Sequence, residues 1–373
     1  MKVLVVGPDR QDPGGVANYY NAVFPKLSNE TVVTHYLAIG STHSQIRGLH
    51  IVFDQLRFWQ TITRFKPDII HLNPSLDLKS FLRDGVFIFL AKQRSKPVVV
   101  FFRGWQLPFE TVVSGHLNWF FKSTYKKADA FIVLANAFSD RLSKWGIDVP
   151  IYLANTAVAN ELLEGFSIDR KLSEIPTTDI IRLLYLARLE KKKGVLELLE
   201  AVRILLEKGI DISLTIAGDG PVMSEVRNQV ENSELLGKRV SIVGYVRGQA
   251  KIEILRTHQV YCFPTQYGEG MPNSVLEAMA FGMAIVTCPV GGIADFFENE
   301  RMGVLLETTD PQKISDSIAT LIDNRGRLIN IARYNFEYAQ THFLASSAAD
   351  NLRSIYKEIL NAVNAKLKTQ NSK

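Results

Sequence analysis

The sequence predicts an α/β protein made of two doubly wound parallel sheets in tandem, and three observations carry that expectation. The chain has 373 residues, too many for one ordinary hydrophobic core. Short runs rich in β-branched residues alternate with stretches of helical spacing along nearly the whole length, the signature of strands crossed over by helices. The alternation pauses once, over Asn160–Thr178, where Glu, Ser, Pro and Thr gather without a strand.

The first series places strands at Lys2–Val6, Thr31–Leu37, Ile69–Leu72, Pro97–Phe102, Ala130–Val133 and Ile151–Leu153, with helical spacing over Gly15–Leu27, Asp54–Phe65 and Lys79–Ser95. Asn160–Thr178 reads as the linker. The second series places strands at Ile181–Leu186, Ser213–Ala217, Val240–Val243, Val260–Phe263, Ala284–Thr287 and Gly303–Leu306. Gly194–Lys208 and Pro311–Ile322 have amphipathic spacing, and the tail from Ala345 to Leu367 is again helical. Two such units predict a cleft at the carboxyl ends of the two sheets, where open α/β sheets bind ligands.

Composition narrows the function. Apolar residues make up 46% and charged residues 22%, which places the chain among globular proteins. The best apolar run, Val86–Ala91, is far short of the ~20 residues of a membrane span. The opening Val3-Leu4-Val5-Val6-Gly7 is strand-length and lacks a small-residue cleavage site, so no secretory leader is expected. Cys262 and Cys288 lack metal-ligand spacing and read as buried thiols of a reducing cytoplasm. Up to Asn160 there are 18 Lys+Arg against 11 Asp+Glu, and 25 against 27 beyond it. A basic first half suits an anionic membrane surface or an acidic acceptor, and chance suits it equally.

Four motifs fall at sheet edges. Asp12-Pro13-Gly14-Gly15-Val16 follows the first strand, and its glycines let backbone approach a phosphate at a helix N-terminus. Their spacing is not G-x-G-x-x-G, which disfavours a nicotinamide cofactor. Arg188 and Lys193 flank the loop after the first strand of the second unit and suit a diphosphate clamp. Tyr267-Gly268-Glu269-Gly270-Met271-Pro272-Asn273-Ser274-Val275-Leu276-Glu277 sets two carboxylates seven residues apart around a helix N-terminus. Glu277 has a second reading open to it, because Ser274-Val275-Leu276-Glu277 is also a capping box. Gly291 and Gly292 close another strand end, either as a tight turn or as a point of close approach.

Together these residues resemble the retaining GT-B fold glycosyltransferases of family 4, the glycosyl transferases group 1. The resemblance runs from Gly14-Gly15 to the C-terminal helix and is most specific in Glu269…Glu277 with Ala278-Met279-Ala280-Phe281-Gly282, preceded by Arg188…Lys193-Gly194. Ala217-Gly218-Asp219-Gly220-Pro221 and Val243-Gly244-Tyr245-Val246 fall between them in the same order. It implies an acceptor-binding Rossmann-like domain at 1–170, a nucleotide-sugar domain at 171–342, and a final helix at 343–373 returning to the first. It further implies that Gly14 and Gly15 approach the donor, that Arg188 and Lys193 neutralise its diphosphate, and that Gly244, Tyr245 and Val246 meet the base. Glu277 would hold the ribose and Glu269 the donor sugar, with Gly270, Met271, Asn273, Ser274 and Val275 around sugar and phosphate. The implied reaction moves a sugar from UDP or GDP to a glycan hydroxyl, on a lipid-linked acceptor in cell-surface polysaccharide synthesis.

The sequence departs from the family at one place. Relatives carry a histidine after the fourth strand, where this chain has Arg103, which suggests an anionic acceptor group. His71 either substitutes for that histidine or is a satisfied core residue. No D-x-D occurs, so neither a metal nor any other cofactor is expected. A nucleotide-sugar epimerase or a sugar phosphorylase of the same fold is the alternative enzyme, and a basic nucleic-acid-binding module the alternative outside enzymes, disfavoured by scattered charges. The segment His116–Lys127 combines Trp119, Phe120 and Phe121 with Lys122, Lys126 and Lys127 in one expected helix, which predicts peripheral docking on the cytoplasmic membrane face.

Overall fold

The computed structural model of the chain describes residues 1–12, 14–40, 49–267 and 270–371. It divides into two compact units: Met1–Ala157 with Ala345–Lys373, and Val158–Leu344. The first unit carries the strands β1 (Lys2–Pro8), β2 (Val33–Ile39), β3 (Ile69–Leu72), β4 (Ser75–Leu76), β5 (Val98–Phe101), β6 (Gly104–Trp105), β7 (Ala130–Val133) and β8 (Ile151–Leu153). Six of them form one parallel sheet in the order β2-β1-β3-β5-β7-β8, and β4 pairs with β6 as a small separate ribbon. β3, β5 and β7 are buried at every residue, as expected of parallel strands covered on both faces. The second unit repeats the plan with β9 (Ile181–Leu186), β10 (Ile212–Ala217), β11 (Val240–Gly244), β12 (Val260–Phe263), β13 (Ala284–Thr287) and β14 (Gly303–Leu305), in the order β11-β10-β9-β12-β13-β14. The twelve strands expected from sequence are the twelve of the two sheets, six with the same bounds and six shifted by a residue or two at one or both ends, and the β4–β6 ribbon was not foreseen.

The helices of the first unit that matter below are α1 (Gly15–Leu27), α2 (Leu49–Phe65), α3 (Leu78–Gln93), α4 (Leu107–Ser114) and α5 (Asn118–Ser123). The last helix of the chain, Ala345–Asn371, lies on α1. Arg353 of that helix donates to the carbonyls of Lys26 and Leu27 at the end of α1, 2.5 and 3.4 Å away. Tyr356 is buried and its hydroxyl lies 2.6 Å from Nδ1 of His71, whose Nε2 lies 3.3 Å from the Tyr20 hydroxyl. Both ring nitrogens of His71 are therefore used inside the core, and the structural reading of this histidine holds.

Three expectations need correction. Asn160–Thr178 is no open linker: Ser167 caps a helix over Ile168–Glu174, and Ile168, Leu172 and Ile175 are buried. Lys171 is buried with them, donating to the carbonyls of Leu255 (3.3 Å) and Phe281 (2.8 Å). These contacts draw the segment into the second unit, so the boundaries fall at 157/158 and 344/345 instead of 170/171 and 342/343. The segment His116–Lys127 is not one helix, because α5 ends at Ser123 and a short 3-10 turn, Tyr125–Lys127, follows. Phe121 and Tyr125 stack on Phe81 in the core and Phe120 lies against Gly85, which leaves Trp119 as its exposed aromatic, at 68%. Cys262 and Cys288 are buried free thiols, as read from sequence.

Burial and the nearby Arg103 charge push the pKa of His71 down from 6.5 to about 3. Between those values an unfolded chain holds a proton at this site that the folded one does not. Its contribution to the first unit's stability is thus complete above pH 6.5 and is lost as the pH falls through 3. His71→Gln, which hydrogen bonds without titrating, is expected to lose less stability than the parent between pH 6.5 and 3, measured as urea unfolding midpoints across that range.

Candidate active site

In the second unit β9 is flanked by β10 on one side and β12 on the other, so the direction of winding reverses beside it. That is where the loops after neighbouring strands part and leave room for a ligand. A cavity of about 700 Å³ opens at the carboxyl ends of β9, β10 and β11. Its floor is backbone at Ala187, Gly218 and Gly220; Arg188, Tyr245 and Lys251 stand around it. Tyr245 is 77% exposed, an aromatic ring presented to solvent at a cavity mouth.

The floor is possible because two glycines lack a side chain. Gly218 has φ 151° and a β-carbon there would lie 1.9 Å from the Ala187 carbonyl oxygen. One on Gly220 would lie 2.4 Å from that of Leu189. The Gly218 N–H donates to the Gly244 carbonyl at 2.7 Å, which ties the ends of β10 and β11 together. A third glycine, Gly194, joins the next pair of loops. It has φ 75°, and its β-carbon would meet the Pro264 carbonyl oxygen at 2.0 Å. Gln266 N–H then donates to the Lys192 carbonyl at 2.9 Å, so the Arg188–Lys193 loop lies against the loop leading to the glutamate motif.

Arg188 is exposed and its Nε is 3.1 Å from Glu190. Lys193 points its ammonium toward the Tyr267 ring, 5.0 Å from the centroid, and lies 5.9 Å from that of Phe263. The helix after β12 runs Asn273–Ala280, with Pro272 before it and no side-chain cap. The Val275 amide donates to the Pro272 carbonyl at 3.2 Å, and the amides at this helix start form a dipole end that favours an anion. Ser274 shares a 2.6 Å hydrogen bond with the Tyr261 hydroxyl, and Oδ1 of Asn273 is buried without a partner among the described residues. Glu277 is buried and held by Lys251, at 2.7 Å from one carboxylate oxygen and 2.6 Å from the other. The capping-box alternative is therefore wrong: Ser274 lies inside the helix and Glu277 points to a lysine on the cavity wall.

Of the residues chosen from sequence, Arg188, Tyr245 and Val246 line the cavity, and Glu277 adjoins it through Lys251. Gly244 closes the neighbouring strand end at φ 69°. Lys193, Gly270, Met271, Asn273, Ser274 and Val275 belong to the adjoining loop and helix, not to the cavity wall. Glu269 lies outside the described residues. Lys251 was missed, though it carried a signal: it sits in the first turn of the helix Gly248–Thr257, where a cation is unfavourable unless something holds it.

Gly14, Gly15 and Arg103 belong to the first unit. Gly14 precedes α1 and Gly15 opens it, and a β-carbon on either would meet nothing within 4 Å. Arg103 follows β5, 91% buried, with its guanidinium 3.9 Å over the Tyr19 ring and 4.5 Å from that of Phe101. Its Nε and Nη1 and the Tyr19 hydroxyl have no hydrogen-bond partner among the described residues. Burial lowers the pKa of Arg103 from its usual value, offset by Tyr19 and Tyr20. A buried cation with unused N–H groups is costly unless an anion meets it.

Residues 167–340 match the family described as glycosyl transferases group 1. The chain is 24% identical over 264 residues to an uncharacterized glycosyltransferase of Methanocaldococcus jannaschii, covering 68% of this chain and 65% of that protein. It is 26% identical over 178 residues to the capsular polysaccharide biosynthesis glycosyltransferase CapM of Staphylococcus aureus, covering 47% and 46%. The matched stretches thus span less than two thirds of these relatives. Among solved structures, that of Anabaena HepE in complex with UDP shares the fold at a TM-score of 0.73 and 17% identity, over 96% of this chain and all of the other. The expectation of two Rossmann-like units of the GT-B type stands.

The glycine floor is testable without any ligand. Gly218→Ala combines a steric clash with backbone strain and is expected to destabilise the second unit by about 3–5 kcal/mol. Gly244→Ala has open space around it and should cost only the left-handed backbone, about 1–2 kcal/mol. Urea unfolding of the two variants measures the difference, and equal losses would reject the close-approach account.

Proposed function

From a chain whose second unit carries the glycosyl transferases group 1 match, we propose a retaining glycosyltransferase that moves a hexosyl group from a nucleotide diphosphate, UDP or GDP, to a glycan hydroxyl in cell-surface polysaccharide synthesis. The observation that carries this reading is the cavity at the ends of β9 to β11, with Arg188 on its wall and Glu277 fixed beside it by Lys251. Tyr245 and Val246 meet the base, Glu277 accepts from the ribose hydroxyls while Lys251 keeps it aimed, and Gly14 and Gly15 approach the donor from their open turn. Arg188, Lys193 and the first-turn amides at Asn273 to Val275 stabilise the diphosphate, with Gly270 and Met271 leading into that turn. Glu269 holds the donor sugar. The acceptor belongs to the first unit, where an anionic group on it satisfies Arg103 and the Tyr19 hydroxyl.

In the transfer the bond between the anomeric carbon and the phosphate oxygen breaks, and the bond to the acceptor oxygen forms on the same face. The acceptor proton passes to the departing phosphate oxygen, so no carboxylate base is required. The protein supplies position and positive charge where negative charge grows. Two cations and a helix N-terminus provide that charge without a metal ion.

Four outcomes follow from these roles. Glu277→Ala should weaken binding of the free nucleoside diphosphate by about 10- to 100-fold, the scale of a hydrogen bond to a charged group. Glu269→Ala should lower turnover with little change in that affinity. Calorimetry with UDP and with GDP decides, and unchanged affinity in Glu277→Ala rejects the ribose role. Transfer should persist in chelator; complete loss that magnesium or manganese restores overturns the metal-independent mechanism. Arg103→Gln should lower kcat/KM for the acceptor while leaving nucleotide affinity at the parent value.

A further inference from the structure

α3 carries large apolar residues on two opposite sides. Phe81, Phe87 and Ile88 are fully buried in the core of the first unit. Leu78, Leu82, Val86 and Phe89 lie on the opposite side, all exposed, and their spacing of four, four and three residues draws one stripe along the helix. A surface helix ordinarily turns one apolar stripe to the core and a polar face to solvent. Here a second apolar stripe meets solvent.

The neighbours extend the stripe to both sides. The Gln55 side chain of α2 donates to the Arg83 carbonyl of α3, and Arg94 just beyond α3 stacks on Trp59 of α2 at 3.9 Å, so α2 lies along one flank. Val52, Phe53 and Leu56 at the start of α2 are more than half exposed. On the other flank Phe120 of α5 fills the space over Gly85 of α3, with exposed Trp119 in edge contact with it. A three-helix face thus presents aliphatic and aromatic side chains to solvent together, which isolated surface residues do not.

Charge identifies what covers it. Residues 49–127 hold 12 Lys+Arg against 5 Asp+Glu, a surplus of seven. All five carboxylates are engaged within the unit. Asp54 accepts from the Gly40 amide, Asp68 from that of Lys2, and Asp77 from those of Lys79 and Ser80. Asp84 pairs with Arg83 and Glu110 with Arg141. Lys79 on α3, Lys122 on α5, and Lys126 and Lys127 just after it are exposed. A second copy of the chain would set this basic margin against itself, since a two-fold interface is made of one surface twice. An anionic lipid surface takes both the apolar stripe and the lysines. We propose that the α2–α3–α5 face of the first unit docks on an anionic bilayer, with Leu82, Val86 and Phe89 entering the acyl boundary and Trp119 at the headgroups. The face is independent of the donor site, so it stands or falls apart from the transferase reading.

Flotation of the full chain with phosphatidylglycerol vesicles and with phosphatidylcholine vesicles, at low and high salt, tests it. Binding to the anionic vesicles is expected. It should drop by at least about tenfold in Leu82→Ser/Phe89→Ser, as the loss of two buried side chains requires. It should become weaker and less salt-dependent in Lys122→Gln/Lys126→Gln/Lys127→Gln. Leu82 and Phe89 are 38% and 44% exposed, so a modest drop in melting temperature with the fold retained is expected, and melting curves check that the variants are folded. A shift of tryptophan emission on adding vesicles should vanish in Trp119→Phe. No flotation with either vesicle overturns the proposal, as does flotation that ignores the Leu82/Phe89 change. A chain that dimerises through this face, seen as a concentration-dependent mass abolished by Leu82→Ser/Phe89→Ser, overturns it in favour of a second copy.

Discussion

Where β9 and β10 end, the second unit has no room for a β-carbon. Gly218 and Gly220 press against the carbonyls of Ala187 and Leu189, and Gly194 against that of Pro264. Each contact brings two loops closer than any other residue allows, and the rest of the site rests on that closeness. The first two make the cavity floor. The third sets the Arg188–Lys193 loop against the segment that leads into the Asn273–Ala280 helix. The loop that carries Arg188 and Lys193 thus lies against the segment that precedes this helix, although the sequence separates them by about eighty residues. The cavity depends on backbone geometry first and on charged side chains second.

The same priority explains which parts were legible from sequence. Strands buried on both faces read as short β-branched runs, so Ile69–Leu72, Ala130–Val133 and Val260–Phe263 were placed to the residue. The loop motifs were legible because glycine and charge cluster where a strand gives way to a helix. Pairings across the chain were not. Glu277 is anchored by Lys251, 26 residues earlier on another helix, and sequence spacing alone could equally make it a cap. Lys171 lay in a polar stretch that reads as linker, and nothing local reveals that its ammonium reaches two carbonyls 84 and 110 residues away.

The aromatic segment after α4 failed for a related reason. Periodicity tells which residues share a face but not whether that face looks inward. Phe121 and Tyr125 are four residues apart and meet Phe81 in the core, so the apolar side of the segment is consumed within the fold. The run Val86–Ala91 carried the better signal. A helix with apolar residues on both halves has more greasy surface than one core can cover, and Leu78, Leu82, Val86 and Phe89 are the surplus. Excess of apolar residues over what an amphipathic helix needs was the feature to weigh, more than the proximity of lysines to aromatics.

Arg103 of the first unit differs in its surroundings from the cations of the second. In the second unit, positive charge is set out at the cavity wall, where Arg188 keeps solvent contact and a local carboxylate, and so carries little desolvation cost. In the first, Arg103 is buried between Tyr19 and Phe101 with two N–H groups unused, a state that aromatic faces offset only in part. A polar group left so exposed to cost in an otherwise satisfied core is tolerable if a ligand completes it. The neighbouring His71 shows the contrast: equally buried, it has a partner at each nitrogen and stays neutral. Two basic side chains that sequence offered as alternatives for one role are thereby separated by their surroundings: the histidine holds the C-terminal helix in the core, and the arginine keeps two N–H groups unused.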